Sequence, residues 1–261
     1  MFEDLLKYSS CVFACSGPSL NKVDVFSLGL PVVAISTAIR KIDNPNYWVY
    51  SDYLNEMHGE EGKRAYLNDS ITKIIQDGKS SPHLTSKNIK IYVCEKTNRN
   101  YDVRNIFNPE KPFSKGPHKS ITFGIQWAHS IGIKNIIFAG NDLVAESMEK
   151  KYCYPVTDID MKKKHNFKKT LNEVESYLRE WYPYAKNMGY NWYSWNCGEV
   201  FESIVPKLDI EILEKIHKQE FEPQKQSSNE ILPEIEQTDK NQIQKDIDTY
   251  IRLILKNKKL I

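Results

Sequence analysis

The chain has no apolar run of 18 residues, the length a bilayer-crossing helix needs. Its opening, MFEDLLKYSS, is acidic where a secretory leader would be basic, so the expectation is a cytoplasmic protein. Charge of one sign is also lacking: 36 Lys and Arg stand against 34 Asp and Glu, a net of +2. That balance implies neither a basic nor an acidic partner, and without a basic-aromatic groove nucleic acid is not the expected ligand. Cysteine is scarce. The five present, with Cys11 and Cys15 on one expected strand, lack the paired spacing of a zinc site or a disulfide framework and read as reduced thiols of the core. No lysine-bearing phosphate loop of the Walker type occurs, and no metal site is expected. What remains is an ordinary globular composition, 40% hydrophobic and 27% charged over 261 residues, enough for one large domain with appendages.

The stretch VFACSGPSLNKVD, Val12 to Asp24, is an apolar run that breaks into Ser16-Gly17-Pro18-Ser19. A strand, a tight Gly-Pro turn and a serine before an amphipathic segment form the first half of a βα unit. The open end of such a unit is where α/β proteins place a phosphate or nucleotide, since free N–H groups and the positive end of a helix dipole point outward there. A turn that binds nothing is the plainer alternative. Further strands are expected at Leu30–Ser36, Asn46–Asp52, Asn88–Glu95, within KNIIFAG (Lys134–Gly140) and at Tyr190–Trp195. Helical stretches lie between them, one expected over residues 62–78 and another running to Lys186. The fold class expected is α/β, a Rossmann-like, mostly parallel sheet flanked by helices. Ser36, Ser51 and Asp52 close the second and third strands at the edge where ligands bind. Residues 98–119 read as a long loop, and a loop of that length is more often functional than idle.

In SITFGIQWAHSIGIKNIIFAGNDL, Ser120 and Thr122 start a helix, Gly132 ends it, and a buried strand closes in Gly140-Asn141-Asp142. Ser120, Asn141 and Asp142 either face the crevice of Ser16-Gly17 or merely cap a helix and a loop. Residues 144–167 are polar and carry Tyr152, Tyr154, Lys162–Lys164 and His165, the composition of a lid at the carboxyl edge. Tyrosine hydroxyls can donate to a departing phosphate, and a histidine can take a proton from an attacking hydroxyl. A catalytic domain over residues 1–217 is expected to give way to a disordered linker over 218–240, rich in Gln, Glu, Ser, Pro and Lys. Residues 241–261 follow as an amphipathic helix with Ile243, Ile247, Ile251 and Ile254 at helical spacing. That helix suits docking on the domain, on a second subunit, or on an anionic membrane at the inner face.

In order and spacing, VFACSGPSLNKVD, SITFGIQWAHSIGIKNIIFAGNDL, the tyrosine-bearing lid, KHNFKKTLNEVESYL and WYSWNCGEVFESIVPKL resemble the bacterial sialyltransferases of glycosyltransferase family 42. The same layout is similar to the broader group of motility accessory factors and 6-hydroxymethylpterin diphosphokinases. The resemblance implies a glycosyltransferase taking a nucleotide-activated sugar, such as a CMP-nonulosonate, to a hydroxyl acceptor by inverting displacement, with no bound cofactor. It implies donor contacts at Ser16, Gly17, Pro18, Ser19, Ser36, Ser51, Asp52, Ser120, Asn141 and Asp142. Tyr152 and Tyr154 would hold the leaving phosphate and His165 would be the base. Serines 16, 36 and 51 stand where these enzymes usually have asparagine, which leaves the donor open. The alternatives are a pterin-type diphosphokinase using Mg-ATP and a nucleotide-binding module without activity.

Overall fold

The computed structural model describes residues 8–51, 58–76, 89–92, 103–107, 119–147, 150–162 and 166–221. Two units are separable, Met1–Glu222 and Pro223–Ile261. The second, with nearly all of the expected linker and the C-terminal helix, lies outside the described residues.

Among the described residues the first unit has seven strands, all parallel: β1 (Ser10–Ala14), β2 (Val32–Ile35), β3 (Tyr47–Tyr50), β4 (Thr72–Gln76), β5 (Ile89–Tyr92), β6 (Asn135–Ala139) and β7 (Asn191–Ser194). Their order is β5-β4-β3-β2-β1-β6-β7. The helices are α1 (Gly59–Leu67), α2 (Val103–Ile106), α3 (Ser120–Ser130), α4 (Asp158–Met161), α5 (Phe167–Asn187), α6 (Glu199–Glu202) and α7 (Ile210–Phe221). Short 3-10 turns at Pro18–Lys22 and Ser36–Arg40 follow β1 and β2. The α/β class is as the sequence implies, and every described strand pair is parallel.

Two expectations are corrected. The helix expected over residues 62–78 ends at Leu67, and residues 72–76 form β4. Ile71, Ile74 and Ile75 satisfy helical spacing, but Asn68 accepts the Ser70 N–H at 2.9 Å and its hydroxyl at 2.7 Å, a local turn that stops the helix. The β-branched residues beyond it then pair with β3. At the other end α7 continues to Phe221, four residues into the span expected as linker.

Side-chain alternation sends Cys11 and Phe13 of β1, and Cys15 just past it, to one face, under α3 and α5, where Trp127, Leu178 and Trp181 fill the core. Val12 and Ala14 face the other side, against Leu20, Tyr154, Trp195 and Ile216. Register across β1, β6 and β7 is pinned by a polar row: Asn135 Nδ2 donates to Ser10 Oγ at 2.9 Å and Asn191 Nδ2 to Asn135 Oδ1 at 3.0 Å. A slip of one residue would break both bonds and send each strand's apolar set to the wrong face.

His129, buried at the end of α3, binds this core to β7. Its Nδ1–H donates to the Ile133 carbonyl at 2.8 Å while Nε2 accepts from Trp192 Nε1 at 3.0 Å. Only the neutral ring can do both. Burial pushes its pKa down from an ordinary 6.5 to about 3; the Ile133 bond opposes that shift and Lys134 adds to it. The unfolded chain therefore binds the proton first: the stabilisation is complete above about pH 6.5 and is lost as pH falls toward 3, by about 1.4 kcal/mol per pH unit for this group. Urea melts between pH 7 and 4.5 should show that loss, and His129→Gln should flatten the slope attributable to this site.

Candidate functional site

The strand order reverses between β1 and β6, so the connections leaving their carboxyl ends run to opposite sides and open a crevice there. The loop after β1 and the loop after β6 meet at this point. Parallel pairing carries past the strand ends, with Cys15 N–H on the Ala139 carbonyl at 2.7 Å and Gly17 N–H on the Gly140 carbonyl at 2.7 Å. Asp142 then turns its Oδ2 back to accept the Ser19 N–H at 2.9 Å.

Two glycines make room for that carboxylate. A Cβ on Gly17 would lie 2.3 Å from Asp142 Oδ2 and 2.6 Å from the Gly140 carbonyl oxygen; one on Gly198 would lie 2.9 Å from the Asp142 carbonyl oxygen. Gly140 has φ +71° and presses on the Cys15 carbonyl, where a Cβ would come within 2.4 Å. This arrangement corrects one expectation. The N–H groups of Gly17 and Ser19 do not point outward to cradle a phosphate, because a carbonyl and a carboxylate already accept them, and Pro18 has none to offer.

Ser16, Gly17, Ser19, Asn141 and Asp142 are thus brought together. Ser19 and Asn141 are buried, and neither Ser19 Oγ nor Asn141 Nδ2 has a hydrogen-bond partner among the described residues. Asn141 N–H is directed at Cys197 Sγ, 3.4 Å away. Cys15, Cys153 and Cys197 surround the same point. Burial raises all three thiols, Cys153 and Cys197 to about 11, and the Asp142 charge raises them further, so none is a thiolate nucleophile at neutral pH.

The expected lid is partly described, and its residues 152–160 lie over the loops after β1 and β2. Cys153 N–H donates to the Ser16 carbonyl at 2.8 Å, and Asn21 Nδ2 donates to the Cys153 carbonyl at 3.0 Å. Tyr152 and Tyr154 stack with ring centroids 4.8 Å apart. Burial raises both phenols, Tyr152 to about 12. At neutral pH both remain protonated and act as donors rather than bases.

Arg40, from the turn after β2, lies 4.0 Å over the Tyr154 ring and pairs through Nη1 with Asp160 Oδ2 at 3.0 Å. Asp160 is fully buried, and the same oxygen accepts the Thr157 N–H and hydroxyl, both at 2.9 Å. Arg40, Thr157, Asp160, Cys197 and Gly198 were not legible as site residues. A basic residue just past a strand end and the small pair after β7 were the available signals.

The remaining expected residues fall elsewhere along the same edge. Ser36, with φ +50°, is held by the Trp48 indole donating to its carbonyl at 2.9 Å. Ser51 N–H donates to Ser120 Oγ at 3.1 Å, and the two hydroxyls are 3.1 Å apart. That pair ties α3 to the end of β3, so Ser120 does not cap its own helix. Asp52, Lys163, Lys164 and His165 lie outside the described residues, while Lys162 is exposed. No group of three His, Cys, Asp or Glu side chains able to hold a metal ion occurs among the described residues. No described helix is long and apolar enough to cross a membrane.

Removing Arg40 would leave the Asp160 carboxylate buried without its cation, a change that costs roughly 3–5 kcal/mol when such a pair is broken. Arg40→Met should therefore release the segment, raising tryptic cleavage after Lys150, Lys151 and Lys162 by roughly 10-fold or more. Arg40→Met/Asp160→Leu should recover most of the protection. No protein-family model, curated protein or solved structure matches the chain.

Proposed function

We propose that the protein is a sialyltransferase-like glycosyltransferase, moving a sugar from a nucleotide-activated donor such as a CMP-nonulosonate to a hydroxyl acceptor. The observation that carries this reading is the stacked Tyr152–Tyr154 pair, fastened through Cys153 to the loop after β1 beside Asn141 and Asp142. Protonated phenols suit a departing phosphate, which gains negative charge as the glycosidic bond breaks. A donor that leaves with its own phosphate needs only such stabilisation and a base for the acceptor hydroxyl. The resemblance assigns that base to His165. Inversion follows from a single displacement: the acceptor oxygen forms its bond to the anomeric carbon as the nucleotide leaves from the opposite side, and the acceptor proton passes to the histidine.

A thermal-shift series with CMP, CDP, UDP, GDP and ATP, each with and without magnesium, tests the reading. CMP at 100 times its dissociation constant should stabilise the folded chain by about 2.7 kcal/mol without metal. For a domain of this size that is a rise in Tm of roughly 5–10 °C. His165→Ala should keep the shift and lose transfer. Stabilisation by magnesium-ATP alone would replace the proposal with a diphosphokinase, and no shift with any nucleotide would leave a scaffold that binds none of them.

A further inference from the structure

The segment over residues 152–160 carries its own anion. Asp160, fully buried, accepts at Oδ2 from Arg40 Nη1 at 3.0 Å and from the Thr157 N–H and hydroxyl at 2.9 Å each. Its other oxygen is sealed from solvent and has no hydrogen-bond partner among the described residues. One oxygen thus serves three donors and the other none, an uneven use of a carboxylate that can accept on both. Buried polar atoms left in that state are uncommon in native proteins, because each one costs free energy. The surroundings nonetheless suit an anion. Arg40 lies 4.0 Å over the Tyr154 ring, Tyr154 stacks on Tyr152, and the Lys151 ammonium lies 4.8 Å over the Tyr152 ring.

In this arrangement the groups that would serve a departing phosphate are out of its reach. Tyr154 is 7% exposed and its hydroxyl is sealed from solvent. The Arg40 side chain is 12% exposed and is held by Asp160. Elsewhere along the edge the Gly17 and Ser19 N–H groups are taken, and Lys119 pairs with Glu173 at 2.9 Å. A phosphate that draws Arg40 to itself leaves Asp160 buried without its cation, and a carboxylate in that position is strongly destabilising. Exchanging one anion for the other therefore requires Asp160, with the segment that carries it, to move out to water.

We infer that Asp160 is an internal stand-in for the ligand's phosphate, keeping residues 152–160 closed over the loops after β1 and β2 until a phosphate takes Arg40 from it. This rests on the nucleotide-sugar reading and adds regulation to it: the closed arrangement is a resting state, and the segment opens on binding. Opening frees the Tyr154 hydroxyl and gives water to the Asp160 oxygen that lacks a partner. The hold at the other end is light enough to allow it. Cys153 N–H donates to the Ser16 carbonyl at 2.8 Å and Asn21 Nδ2 to the Cys153 carbonyl at 3.0 Å.

The test is hydrogen exchange of the full chain, read on peptides containing the Cys153 and Thr157 amides, with saturating CMP or cytidine and a parallel calorimetric titration. CMP should speed exchange of these amides by roughly 10-fold or more, and cytidine, which lacks the phosphate, should leave it unchanged. Thr157→Val removes a hydroxyl that Asp160 accepts, at an exposed position where the fold tolerates the change. By raising the open fraction it should tighten CMP roughly 3- to 10-fold. Exchange that slows or stays the same with CMP bound, equal acceleration by cytidine, or a Thr157→Val variant that binds CMP no more tightly overturns the stand-in. Each of those leaves the nucleotide reading standing. Absence of any CMP binding in the titration overturns the CMP-linked reading, and the stand-in with it.

Discussion

Backbone pairing between β1 and β6 is the constraint on which the site depends. The two strands run in register from Ser10 opposite Asn135 to Ala14 opposite Ala139, and the bonding continues past both ends through Gly17 and Gly140. Because the pairing is parallel and the chain departs to opposite sides, the last paired residues are also where the crevice opens. The Asp142 carboxylate is delivered by that pairing and not by local sequence. Its bond to Ser19 spans 123 residues. Once it is in place, the usual electrostatic logic of a strand–loop–helix junction reverses, since a fixed negative charge occupies the position an incoming anion would seek. Cationic and phenolic groups at this edge come instead from farther along it.

That second set is supplied by a segment which leaves β6 and folds back across the loops after β1 and β2. Its hold is asymmetric. A backbone bond to Ser16 and one from the Asn21 amide fix it at Cys153 to the β1 loop, whereas its far end relies on Arg40 and a fully buried Asp160. A buried ion pair contributes little net stability over apolar residues of the same shape, but losing either partner is costly. It therefore sets one arrangement of the segment against alternatives. The Arg40 guanidinium also sits over the Tyr154 ring, which stacks on Tyr152, so the one cation touches both the buried acid and the tyrosine pair.

How much of this was legible follows from the range of the interactions. Apolar runs ending in small residues gave β1, β2, β3, β6 and β7, because a buried parallel strand needs only such a run and a turn. Residues 71–75 defeated the same reading: their isoleucines fit both periods, and only the turn at Asn68–Ser70 and the waiting edge of β3 decide between them. Ser16, Gly17 and Ser19 were recognisable as a loop at the carboxyl edge, but not that the acid accepting the Ser19 N–H comes from the end of a distant strand. The hydrogen bond between the Ser51 and Ser120 hydroxyls, across 69 residues, likewise has no local pattern that would show it. Arg40 stands just past a strand end, but nothing local links it to Asp160, 120 residues away.

Backbone conformation at the carboxyl edge supports the same location for function. Ser36 with φ +50° directly follows β2, Leu143 with φ +59° directly follows Asp142, and Asn196 with φ +53° lies two residues beyond β7. Asparagine tolerates the left-handed region; serine and leucine do so at a cost that a glycine would avoid. At Ser36 the cost is offset by the Trp48 indole, which fixes the carbonyl that the unusual conformation presents. Leucine at 143 is buried in the core beneath α3 and α5, so its side chain holds the strained backbone in place and with it the turn that directs Asp142 toward Ser19. A glycine there would relax the backbone and forfeit that anchor. The strain is thus tied to the orientation of one carboxylate, which is the kind of local cost that persists where position matters more than stability.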